Sequence, residues 1–132
     1  MKIYFAGSIR GGRQFADTYA YLIKGLQEAG HTVLSEHVGF AELKEKLSDT
    51  EIHARDLDWI IEADVLIADV SLPSLGVGYE IAYAFYREHK DIVVFANNEA
   101  NVSAMINGFC GVHRYDNPQQ FLAICLDVLE NL

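Results

Sequence analysis

The feature that most constrains this chain is an alternation. Short apolar runs at residues 3–6, 32–35, 65–69, 91–95 and, more weakly, 112–115 are separated by stretches whose apolar residues recur at helical spacing. Between 14 and 29, Phe15, Tyr19, Leu22, Ile23 and Leu26 share one face, and Gly30 supplies the stop. A helical region over 41–63, in one piece or two, carries Ile52, Trp59, Ile60 and Ala63 on one side. A third helix begins near Gly76 or Gly78, and a last one follows Asn117 with Phe121, Ile124, Val128 and Leu129 as its buried stripe. Strands joined through helices run parallel, because a parallel connection needs a crossover. The pattern therefore predicts one α/β domain over residues 1–132. Its expected form is a three-layer, doubly wound, flavodoxin-like or Rossmann-like fold on a five-stranded parallel sheet.

A chain of 132 residues can bury a sufficient core without disulfide or metal staples. Its formal charge of −9 argues against a nucleic-acid-coating surface, which needs a concentrated basic footprint. No apolar run approaches the length of a membrane span, and the opening run is too short for a secretory signal, so a cytoplasmic protein with no membrane partner is expected. Cys110 and Cys125 sit in apolar surroundings without CxxC spacing and read as reduced structural thiols. The histidines lack HxxxH or HExxH spacing, so no metal site is expected.

In doubly wound sheets ligands sit beyond the carboxyl ends of the strands, which directs attention to the loops after strands 1, 3 and 4. The first of these, GSIRGGR at 7–13, joins bare backbone to positive charge in front of a helix. Glycine permits close approach, arginine offers a planar fork of donors, and amides at a helix start favour anions. The spacing matches neither GxxxxGK[ST] nor GxGxxG, so neither an ATPase loop nor a dinucleotide fingerprint is supported. DVSLPSLGVGYE at 69–80 repeats the logic with two serines, two glycines and a helix start. Two donor loops on one sheet edge suit one phosphate.

Three side chains carry candidate chemistry. Glu80 falls in the first turn of its helix, where the macrodipole favours its ionised form, and a purely helix-stabilising role is the alternative. Asp56 lies four residues from both Ile52 and Ile60, in the middle of an apolar stripe where a carboxylate is costly unless used or paired. Its alternative is a structural ion pair with Arg10 or Arg55. Tyr4, on strand 1, either fills the core or points its hydroxyl at a carboxylate in the crevice. Two carboxylates facing one crevice suit glycosidic chemistry, one as nucleophile at the anomeric carbon and one protonating the leaving group.

Together YFAGSIRGGR, SEHV, DLDWIIEADVLIADVSLPSLGVGYE and SAMING resemble the 2′-deoxynucleoside 5′-phosphate N-hydrolases of the nucleoside 2-deoxyribosyltransferase superfamily, over residues 3 to about 108. The resemblance implies that Glu80 attacks C1′ of the deoxyribose, Asp56 protonates the departing base and Tyr4 orients Glu80, with no metal or organic cofactor. It implies a phosphate held by Gly7, Ser8, Ile9, Arg10 and Gly11 of the first loop and by Ser74 and Gly76 of the second. His37 matches a histidine near the base. Ser103 matches a serine supplied by the neighbouring subunit, so a homodimer is implied. Two other readings stay open: a deoxyribosyltransferase that passes the sugar to a second base, and a nucleotide-binding sensor without turnover.

Overall fold

Alternate residues of the central strands point to opposite faces of the sheet, and this divides the molecule into two cores. In the computed structural model, which describes residues 1–10, 12–40 and 46–132, β1 runs Lys2–Ala6, β2 Thr32–Val33, β3 Val65–Asp69, β4 Asp91–Asn97 and β5 Val112–Tyr115. All pairings are parallel and the spatial order is β2-β1-β3-β4-β5. The order reverses beside β1 and β3, so the loops leaving those two strands flank the crevice of a doubly wound sheet.

One core places Ile3 and Phe5 of β1 and Val65 and Ile67 of β3 against α1 (Ala16–Glu28) and α5 (Pro118–Glu130). The other places Tyr4, Ala6, Leu66 and Ala68 against α2 (Asp49–Glu62) and α3 (Leu75–Ala82). Tyr4 therefore faces the two helices that carry Asp56 and Glu80. Each helix starts as its sequence dictates. Ser48 and Glu51 form a reciprocal capping box at α2, Ser74 accepts from the Val77 amide at α3, and Asn117 accepts from Gln120 at α5, with Pro118 next. Gly30, with φ of 93°, takes the left-handed conformation after α1.

Several boundaries differ from the sequence expectation. The second strand stops at Val33 rather than 35 because the buried Ser35 hydroxyl spans Phe5, accepting from its amide at 2.8 Å and donating to its carbonyl at 2.7 Å. The side chain thus replaces the ladder, and the chain turns into a 3-10 segment, Glu36–Gly39. Of the region expected to be helical over 41–63, α2 occupies Asp49–Glu62, and 41–45 lies outside the described residues. β4 runs two residues further than expected, α3 passes into a π-helical turn, Tyr83–Arg87, and a short α4, Ala104–Asn107, was not anticipated. Cys125 lies in the core and Cys110 is half-buried; both are free thiols. Among the described residues no helix is long and apolar enough to cross a membrane.

Candidate active site

A cleft of about 1020 Å³ opens at the carboxyl edge of β1 and β3. Gly7, Ile9 and Arg10 form one lip, Ser74 and Gly76 the other, and Asp56 of α2 and Glu80 of α3 both line it. The volume suits a ligand of nucleotide size. Both loops and both carboxylates expected to share a site thus do so. Gly11 lies outside the described residues.

Glu80 is reached by desolvation on one side and donors on the other. Burial raises its carboxyl from an ordinary 4.5 to about 7, and the charge of Asp56 pushes the same way, while a hydrogen bond from Tyr4 and the positive charge of Arg55 pull it down. Tyr4 is itself buried, and burial with the neighbouring Glu80 and Asp56 raises its hydroxyl far above the usual range, keeping it a donor. Gly76 opens the floor between the second loop and this carboxyl. A methyl group at Gly76 would lie 3.7 Å from Glu80 Oε1 and 3.9 Å from Ser74 Oγ.

Asp56 is held by its sequence neighbour. Arg55 Nε donates to Asp56 Oδ1 at 2.9 Å, and Arg55 Nη2 lies 2.9 Å from the same oxygen. Arg55 also stacks on Trp59, 4.7 Å from the ring centroid, and its Nη2 lies 3.4 Å from His37 Nε2. His37 in turn lies 5.6 Å, ring to ring, from Trp59. Of the two candidate partners for Asp56, Arg55 is the one bonded to it, whereas Arg10 reaches across the cleft mouth to Asp49 Oδ1 at 2.8 Å. That bridge is exposed and contributes little to stability. It does bring a guanidinium to the lip of the cleft.

Three expected residues sit elsewhere. Ser8 is fully buried and does not line the cleft, and its Oγ has no hydrogen-bond partner. His37 stands behind Arg55 rather than on the cleft wall. Ser103 caps α4 and lines a separate apolar groove of about 630 Å³ on the other side of α3. The structure adds groups the sequence reading passed over. His53 Nε2 lies 3.0 Å from Tyr79 Oη, linking α2 to α3 at the cleft. The signal was present: Asp49, Ile52, His53 and Asp56 follow i, i+3, i+4, i+7 and all line the cleft. Among the described residues, no group of three or more His, Cys, Asp or Glu is arranged to hold a metal ion.

Comparison with known proteins shows the family and the fold. The family model described as nucleoside 2-deoxyribosyltransferase matches residues 3–121. A Tetraodon nigroviridis protein named 5-hydroxymethyl-dUMP N-hydrolase is 41% identical over 140 residues, covering 100% of this chain and 94% of that protein. A Methanosarcina barkeri protein named as a 2′-deoxynucleoside 5′-phosphate N-hydrolase is 44% identical over 110 residues, 81% of this chain and 69% of its own. Among solved structures, a CMP N-glycosidase of Clostridium botulinum superposes with a TM-score of 0.72 at 24% identity, covering 98% of this chain and 99% of that one. A 2-deoxyribosyltransferase of Bacillus psychrosaccharolyticus gives 0.67 at 19% identity, covering 92% and 90%; both likenesses bear on fold. With the family model matched over residues 3–121 and a relative 41% identical across the whole chain, this chain belongs to the nucleoside 2-deoxyribosyltransferase family.

Proposed function

We propose that this protein hydrolyses the N-glycosidic bond of 2′-deoxynucleoside 5′-monophosphates, releasing free base and 2-deoxyribose 5-phosphate. One observation carries the reading: two carboxyl groups, Glu80 and Asp56, face a single cleft whose two lips are donor loops. Glu80 attacks C1′ as the bond from C1′ to the base nitrogen breaks, and Asp56 gives its proton to that nitrogen. Both Arg55 contacts fall on Asp56 Oδ1, which leaves Oδ2 to carry the proton. Water then attacks C1′, the bond to Glu80 breaks, and the water's proton returns to Asp56. Tyr4 and Arg55 favour the ionised Glu80 that the attack requires. The chemistry calls on no cofactor.

The 5′-phosphate in this reading rests on the backbone of Gly7 and Ile9, on the Arg10 guanidinium, and on Ser74 and Gly76 where α3 begins. Gly11 completes the first loop, and Ser8 acts through its neighbours. His37 approaches the base through Arg55. A second copy of the chain supplies Ser103: the groove beside it is rimmed by Leu75, Tyr86 and Met105, which are 97%, 70% and 81% exposed. Apolar side chains so exposed around one groove suit a homodimer interface.

The test is incubation with deoxynucleoside 5′-monophosphates, the matching nucleosides and ribonucleotides, with chromatography for free base and Glu80→Ala as control. Base and 2-deoxyribose 5-phosphate from the monophosphates, absent with the variant, are expected. Formation of a new nucleoside when a second base is added would move the assignment to a transferase. Nucleotide bound and returned intact would make the protein a sensor.

A further inference from the structure

Under the two loops, on the face of the sheet opposite Glu80 and Asp56, lies a buried carboxyl that the reaction does not use. Asp69 ends β3 and is 1% exposed. Its Oδ1 accepts from Tyr19 Oη at 3.2 Å and from the Ser71 amide at 2.8 Å, and its Oδ2 accepts from Tyr115 Oη. Leaving a buried carboxyl unsatisfied is costly, so these bonds fix its position firmly. Neither Asp69 nor Tyr19 lines the cleft.

What the pair joins is informative. The Tyr19 hydroxyl donates to Asp69 at the root of the second loop. The Tyr19 ring also floors Gly7, where an added methyl would come within 2.7 Å of the ring edge. On the far side Ser71, held by Asp69 through its amide, accepts from the Asn97 amide with its hydroxyl at 2.8 Å, tying the second loop to β4. One tyrosine and one carboxyl therefore link the two lips of the cleft from below, the ring under Gly7 and the hydroxyl on Asp69.

We propose that Tyr19 and Asp69 are a positioning pair that sets the spacing of the two loops and so the protein's preference for phosphorylated over unphosphorylated ligands. The inference rests on the reading of those loops as the phosphate grip. A phosphate held from both lips depends on their separation to a fraction of an ångström, whereas a base and sugar held by α2 and α3 do not. Glu80 and Asp56 stand on α3 and α2, which pack on the other face of the sheet from Tyr19.

Tyr19→Phe keeps the ring against Gly7 and deletes only the bridging hydroxyl. The binding of inorganic phosphate, a deoxynucleoside 5′-monophosphate and the unphosphorylated deoxynucleoside would be compared in wild type and variant, alongside Tm and kcat. Phosphate and nucleotide should weaken roughly tenfold, the size expected for one lost hydrogen bond, with the deoxynucleoside within about twofold and kcat nearly unchanged. Asp69→Asn should move the same ratio in the same direction. Ile23→Val, in the core on the same helix, should lower Tm and leave the ratio alone. Equal weakening of all three ligands, or a fall in Tm alone, would overturn the proposal. If wild type itself binds nucleotide no better than nucleoside and ignores phosphate, the two-loop reading fails first and takes this one with it.

Discussion

Glu80 is a carboxyl that folding makes harder to ionise, and this has a measurable consequence for stability. Its value rises from 4.5 to about 7, so between those pH values the folded protein holds a proton that the unfolded chain releases. Stability tied to Glu80 is fully present below pH 4.5 and is lost as pH rises through 7, at a cost on the order of 3 kcal/mol. Glu80→Gln removes that cost: its Tm should exceed wild type at pH 8 and match it near pH 4, while activity falls by at least about a thousandfold. Equal Tm differences at both values would contradict the assignment. The same ionisation governs catalysis, so kcat/KM should rise with pH through about 7. Tyr4→Phe deletes the hydrogen bond that lowers the Glu80 value, and the rising limb should move to higher pH. Asp56 was legible in the sequence because a carboxylate on an apolar stripe is conspicuous; Glu80 was expected in the first turn of its helix but lies in the second turn of α3, so the helix start does not account for it. The burial of Ser8 was not legible, because nothing in the polar, glycine-rich stretch around it marks an inward turn.

At the scale of elements, α2 and α3 carry the two carboxyls proposed to do the chemistry, and capped starts hold both helices in place. Ser48→Ala should remove about 1 kcal/mol by breaking the box in which the Glu51 amide meets Ser48 Oγ at 3.2 Å and the Ser48 amide meets Glu51 Oε1 at 3.1 Å. Because His53, Arg55 and Asp56 follow on that helix, nucleotide turnover should fall along with Tm. Gly76→Ala separates structure from function. The added methyl meets only ordinary contacts, so stability should hold or rise by up to about 1 kcal/mol, while kcat/KM drops because the methyl stands between Ser74 and Glu80. A variant that keeps full activity would show that the gap is not used. The alternation of elements was readable from period and glycine stops. The early end of β2 was not, because Ser35 bonds to Phe5 across 30 residues of sequence. Nor was the choice of Arg55 for Asp56, since Arg10 engages Asp49 instead.

For the whole molecule, the sheet places two cores back to back and leaves one strongly apolar groove on the surface. The wild type should sediment as a homodimer. The double variant Tyr86→Lys, Met105→Lys should sediment as a monomer and lose most nucleotide turnover, since each copy then lacks the Ser103 of its partner. A fully active wild-type monomer would contradict this. The role proposed for Ser103 was invisible to local sequence patterns, because a residue that served a neighbouring copy would leave no mark in its own segment. The central claim, that Glu80 forms a bond to the sugar, is tested most directly by quenching the protein during turnover of a deoxynucleoside 5′-monophosphate and measuring its mass. The account predicts a gain of one phosphodeoxyribosyl group, mapped to the peptide bearing Glu80 and absent from Glu80→Gln. Release of base at full rate with no adduct at any quench time would mean that water displaces the base directly, and would contradict it.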